Sequence, residues 1–202
     1  MNYLKLKHIS LVGILLSSAF LNAAVETGSP APEFTLSDST GVEHNLSDFR
    51  GKYVVFEWTN HQCPFVKKFY GKGAMQSLQT EMTEKGVVWL QVLSSAEGKQ
   101  GYLTASEAEM MRNEQGVGST ALLLDPKGVV GREYDARTTP HMFLINPEGV
   151  IIYQGAIDSV KSANSADIAN AVNYVKLAYE NAVSGNPIDP ATTTPYGCSV
   201  KY

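Results

Sequence analysis

The sequence predicts an α/β fold: a mixed central sheet flanked by helices, with an N-terminal hairpin before it and an irregular C-terminal tail after it. Three observations carry that expectation. YVVFEW at 53–58 and GVVWLQVL at 86–93 are compact β-rich runs with the length and composition of buried strands. Each is followed by a stretch with helical spacing or capping signals. Farther on, His141 to Ile145 and Val150 to Gln154 flank an Asn146-Pro147-Glu148-Gly149 turn, which makes them an antiparallel hairpin, and an amphipathic helix follows.

At the N-terminus, Lys5, Lys7 and His8 precede an apolar run from Ile9 to Phe20 and then Leu21-Asn22-Ala23-Ala24, the three regions of a secretory signal. We expect residues 1–23 to be a signal peptide cleaved after Ala23, 24–185 a single domain, and 186–202 a tail. The apolar run is too short to span a bilayer comfortably, so no stable membrane span is expected after its removal. Leu21 is larger than the residue usual at that place and leaves an uncleaved anchor as the alternative. Export predicts a periplasmic or secreted protein in an oxidising space, where Cys63 and Cys198, the only two cysteines, can be joined.

Residues 28–50 carry Pro30 and Pro32, a short alternating strand near Phe34 to Leu36 and a Ser-Thr-Gly turn, hence the hairpin. The strand at 53–58 stops at the polar loop Thr59-Asn60-His61-Gln62, and Cys63-Pro64 opens a helix, because proline at the first turn lacks only an N–H that would be orphaned there. Val66, Tyr70, Met75, Leu78 and Met82 continue the helical spacing, with Gly71 and Gly73 weakening its middle. After the strand at 86–93, Ser106 to Gln115 reads as a helix with Glu109 in capping-box relation to Ser106. Thr120 to Leu124 is a further strand, and Val129 to Tyr134 one or two turns of helix beyond the Asp125-Pro126-Lys127-Gly128 turn. Ile168, Ala171, Val172, Val175, Ala178, Tyr179 and Ala182 define the last helix, closed by Gly185, and NPIDPATTTPYGCSVKY should lack regular structure.

A formal charge of −4, with charged residues spread without long runs, leaves no electrostatic footprint for gripping phosphate backbones, so no nucleic-acid partner is expected. The four histidines, at positions 8, 44, 61 and 141, are scattered. No metal site and no cofactor are expected.

Cys-Pro at the strand-to-helix junction and Thr-Pro opening the final hairpin resemble the thioredoxin superfamily. More closely, EWTNHQCPFVKKFY, GVVWLQVLSSAEGKQGYLT, LLLDPKGVVGREYDARTTPHMFLINPEG and the ending PYGCSVKY resemble exported, peroxiredoxin-like redoxins of the AhpC/TSA type, from about residue 28 to the C-terminus. The resemblance implies a thioredoxin-like fold and a thiol function. It implies that Cys63 is the attacking cysteine, that Pro140 is a cis-proline beside it, and that Glu57 takes the place of a buried acid assisting proton transfer. Departures accompany the likeness. Val66 stands where thioredoxins carry a second cysteine; Asn60 and Phe56 stand where typical peroxiredoxins carry a threonine and a proline, and Ile152 near the place of their activating arginine.

A thiolate is the nucleophile of disulfide exchange, and an ordinary cysteine supplies little of it at neutral pH. At a helix N-terminus the free N–H groups favour an anion, and Lys67 and Lys68 add positive charge one turn on, so Cys63 is expected to be acidified and partly exposed. With Val66 in place of a nearby thiol, Cys198 is the candidate resolving thiol, leaving a Cys63–Cys198 bridge for an external thiol reductant to open. The same bridge can instead be a permanent staple, worth about 4 to 5 kcal/mol on a chain-entropy view. Strand pattern leaves open whether Glu57 faces inward, and His61 is either a base beside the thiol or a solvated loop residue. Asn60, Pro64, Thr139 and Pro140 are the candidate substrate-binding positions. Trp58, Phe65 and Tyr70 form a candidate apolar lip, although Trp58 suits the core better.

The function expected is therefore a thiol-disulfide oxidoreductase acting on a thiol or disulfide protein partner. Two alternatives stand beside it: a thiol peroxidase that reduces hydroperoxides, and a non-catalytic binding module stapled by one disulfide.

Overall fold

The computed structural model describes residues 25–202. The expected signal peptide, 1–23, lies outside the described residues. The hairpin pairs β1 (Thr35–Ser37) with β2 (Glu43–Asn45) in antiparallel register, Thr35 opposite Asn45. Behind it a five-stranded sheet runs in the order β5 (Ala121–Leu124), β4 (Val88–Leu93), β3 (Val54–Trp58), β7 (His141–Ile145), β8 (Ile151–Gly155). β3, β4 and β5 are parallel, whereas β7 is antiparallel to both β3 and β8.

β3 is buried along its whole length, and the two-residue period splits its side chains between two cores. Val54, Phe56 and Trp58 join Leu90, Val92, Phe143, Tyr134 and the hairpin's Phe34 on one face. Val55 joins Trp89, Met142, Leu144 and Tyr153 on the other, under helices α1 (Pro64–Tyr70), α2 (Ala74–Glu84) and α5 (Tyr174–Val183). Helix α3 (Ala105–Gln115) covers Leu93 and Leu122 through Ala108, and the short α4 (Val129–Glu133) lies against the first core through Val130.

Four local expectations are corrected. The helix expected from Cys63 to Met82 is two helices, because the Gly71-Lys72-Gly73 link places Gly73 at φ +75°, a left-handed conformation no helix interior contains. The cap of α3 is Thr104, not Ser106. Its backbone N–H donates to Glu107 at 2.8 Å and its hydroxyl accepts from the Glu107 N–H, while Glu109 instead accepts from Ser39 at 2.6 Å. The last helix begins only at Tyr174. Asn173 caps it by accepting from the Lys176 N–H at 2.9 Å, and Ile168 falls in a separate 3-10 turn, Ser165–Asn170, since the Val172 and Tyr174 backbones bond to Ser159 and Ile157. The tail is not wholly irregular either: Cys198–Ser199 forms a strand, β9, antiparallel to β6 (Thr138–Thr139). That ladder belongs to no local pattern, because its partner lies far back in the chain.

Candidate active site at the start of α1

Cys63 is the N-cap of α1, in extended conformation, with Pro64 as the first helical residue. Its N–H donates to the Asn60 carbonyl at 2.9 Å, and its own carbonyl accepts from Val66 and Lys67. Asn60 organises this loop: its side-chain oxygen accepts from the Gln62 N–H at 2.9 Å and its amide nitrogen donates to the Gln100 carbonyl at 3.1 Å. With its amide engaged at both ends and its side chain buried, Asn60 shapes the turn that presents Cys63.

The other wall is the Thr139–Pro140 segment, whose peptide bond is cis. The Thr139 carbonyl oxygen lies 3.2 Å from Cys63 Sγ. On the far side of Thr139 runs the tail, with Cys198 opposite Thr139 in the β6–β9 ladder. Gly197 passes so close that a Cβ there would lie 2.0 Å from the Thr139 oxygen. The result is a pair of sulfurs, Cys63 Sγ and Cys198 Sγ, 2.7 Å apart and unbonded. Cys63 is wholly buried, contrary to the partial exposure expected, because the tail lies over it.

Burial by itself pushes the Cys63 thiol up. The Cys198 thiol and the backbone N–H groups of Cys198 and Val66 bond its anion and together hold it below the ordinary thiol value. Cys198 moves the other way, pushed up to about 11 by burial and then by its hydrogen bond to Cys63. Cys63 is thus the more acidic of the two, and Cys198 is the sulfur that donates when Cys63 is ionised. Lys68 takes no part in this. The positive charge expected from it one turn beyond the thiol is spent elsewhere: its side chain is wholly enclosed and its ammonium bonds Asp158 at 2.8 Å.

Glu57 faces inward beneath α1 and α2, where burial pushes it up to about 6 against the hydrogen bonds that favour its anion. Tyr70 donates to it at 2.6 Å, Trp89 at 2.8 Å and Gln79 at 3.0 Å; none of its hydrogen bonds reaches Cys63. His61, half-buried in the loop, is lowered by desolvation and then by Lys67, which keeps it neutral at neutral pH. Of the expected lip, Trp58 is core and the Tyr70 hydroxyl is spent on Glu57, so only Phe65 flanks the site, edge-on to Tyr196 with ring centres 5.8 Å apart. Sequence reasoning gave no role to Tyr196, met only as part of the PYGCSVKY ending, or to Asp158, because the contact between them joins segments far apart in the chain. Among the described residues no group of three or more His, Cys, Asp or Glu side chains could hold a metal ion, and no helix is long and apolar enough to cross a membrane.

The family model for AhpC/TSA proteins matches residues 27–154, a stretch that includes Cys63, Thr139 and Pro140. The chain belongs to the AhpC/TSA family. Membership makes it a thiol-dependent oxidoreductase. A thiol-disulfide oxidoreductase ResA of Geobacillus thermodenitrificans is 32% identical over 118 residues, covering 53% of this chain and 68% of the relative. The protein of that name from Bacillus subtilis is 29% identical over 129 residues, covering 64% of this chain and 66% of its own. Among solved structures, an uncharacterized conserved protein from Geobacillus kaustophilus superposes with TM-score 0.75 at 23% identity, over 88% of this chain and 93% of its own. A hypothetical protein from Sinorhizobium meliloti gives TM-score 0.74 at 21% identity, over 89% and 96%. The thioredoxin domain of a Bacteroides vulgatus thiol-disulfide oxidoreductase gives 0.51 at 22%, over 73% and 97%. These likenesses establish the thioredoxin-like fold of this AhpC/TSA member. Cys198 lies beyond the matched stretch.

Proposed function

We propose that this chain is an exported thiol-disulfide oxidoreductase in which Cys63 is the nucleophile and Cys198 the resolving thiol. The observation that carries the proposal is the meeting of the two sulfurs, 2.7 Å apart, where α1 begins. Once the tail lifts from it, the Cys63 thiolate attacks one sulfur of a partner disulfide; the partner's other sulfur leaves with the electron pair and takes a proton. Cys198 then gives up its proton and attacks Cys63 Sγ, the remaining partner thiol leaves, and the Cys63–Cys198 bridge keeps the oxidation. Two electrons have passed to the partner, and an external thiol reductant returns them by two further exchanges. The cycle runs equally in reverse. His61, two residues before the thiol and neutral, is the loop base, and Glu57 is the buried acid beneath the helix. Thr139 and Pro140 form the wall along which a partner chain lies, with Pro64 fixing the helix start. The N-terminal segment 1–23 directs the protein to the periplasm or outside the cell, where no bound cofactor is needed for exchange.

The test is stopped-flow mixing of reduced protein with a low-molecular-weight disulfide and, separately, with hydrogen peroxide. Fast stoichiometric exchange with slow sulfenate formation supports the assignment, whereas the opposite ranking makes the protein a peroxidase. A second reading, a permanent staple, is favoured by the complete burial of Cys63 under the tail. A bridge that resists every glutathione ratio would establish it in place of exchange.

A further inference from the structure

We infer that Lys68, Asp158 and Tyr196 are positioning residues that hold Cys198 against Cys63. The inference rests on the exchange reading above and concerns how the second sulfur is delivered. Taking an ammonium and a carboxylate out of water costs as much as their attraction returns, so an enclosed pair is a weak stabiliser and a strong specifier of geometry. Here the side chains of Lys68 and Asp158 are 0% and 3% exposed.

The geometry that this cluster specifies joins the two segments that carry the sulfurs. Lys68 lies on the same short helix as Cys63, five residues after it, and Tyr196 lies two residues before Cys198. Asp158, in the loop after β8, stands between them: one carboxylate oxygen accepts from Lys68 Nζ at 2.8 Å and the other from the Tyr196 hydroxyl. Lys68 also donates to the Tyr196 hydroxyl at 3.2 Å and to the Val160 carbonyl at 3.0 Å, and Phe65 meets the Tyr196 ring edge-on. The tail is therefore fastened to α1 at two places, this cluster and the sulfurs, with Gly197 between them where Thr139 leaves no space for a Cβ. Two residues reach at most about 7 Å. Fixing Tyr196 confines Cys198 to a small volume that contains Cys63 Sγ, and confinement raises the effective concentration of the resolving thiol.

The test uses the full chain with Tyr196→Phe and Lys68→Met, and Leu46→Ala as a control that cuts the core at the N-terminal hairpin. Two quantities are read: the equilibrium between dithiol and bridge in glutathione buffers, and the rate at which Cys198 expels a chromogenic aromatic thiol previously attached to Cys63. Tyr196→Phe should lower both by about tenfold or more and Lys68→Met further. The alkylation rate of Cys63 in a Cys198→Ser background should not fall with Tyr196→Phe. Leu46→Ala should lower the melting temperature and move neither quantity. If Lys68→Met does not fold, Tyr196→Phe alone decides. Equal values for Tyr196→Phe and wild type, or a shift of the same size in Leu46→Ala, would overturn the inference. A wild-type chain that never forms the bridge removes the exchange reading itself, which is a different result.

Discussion

Cys63 stands on a local signal, whereas Cys198 stands at the end of a segment whose course is set by distant partners. The first is placed by a buried strand that ends in a polar loop and a proline that starts a helix, all within a dozen residues. The second is placed by Gln154 against Thr193, by Asp158 and Lys68 on Tyr196, by Thr139 on Cys198, by Arg137 on Val200 and by Ala136 on Tyr202. The position of the nucleophile is set by one continuous segment, although its acidity draws on the tail through Cys198. A resolving thiol built from long-range contacts can be weakened without touching the nucleophile, and that difference is open to experiment.

The largest effect is expected at the sulfurs. Cys63→Ser should lower the exchange rate on the order of a thousandfold or more. Cys198→Ser should slow the first attack far less than Cys63→Ser does, because only a hydrogen bond that favours the Cys63 anion is altered, and should accumulate a mixed disulfide that mass spectrometry detects. A loss of the first attack in Cys198→Ser as large as that in Cys63→Ser would break the comparison, since the reactivity of Cys63 would then rest wholly on the tail.

Next comes Gly197→Val. Gly197 has φ +144° and no space before the Thr139 oxygen, so a side chain there costs on the order of 1–3 kcal/mol of tail docking, roughly a ten- to hundredfold loss in the bridge-forming equilibrium. Alkylation of Cys63 should become faster as the tail lifts. An unchanged equilibrium would mean that the tail is not held through β6.

Glu57, in the strand that leads to Cys63, supplies a pH signature of the local segment. Its folded pKa, about 6, exceeds the ordinary value of 4.5, so the folded state prefers the protonated form. The associated stability is complete below about pH 4.5 and is lost as pH rises through about 6, a fall of about 2 kcal/mol. Urea midpoints across that range should show the decline, and Glu57→Gln should remove it.

Smallest is the loss of the α3 cap: Thr104→Ala should cost about 1 kcal/mol of stability and leave the bridge-forming equilibrium as it was.

What the sequence by itself determined is what period, length and turn chemistry encode. These are the succession of the main strands and helices along the chain, the hairpin at 141–155, the helix start at Pro64 and hence the place of Cys63. The cap of α3 shows the limit, because Thr104 with Glu107 and Ser106 with Glu109 satisfy the same spacing and only the backbone conformation chooses between them. Tertiary structure alone decided that Cys63 is covered, that Lys68 is enclosed and that Cys198 arrives at the other sulfur. Each of these depends on groups far apart in the chain, and a burial or an ion pair made across such a distance leaves no periodicity in either segment to be read.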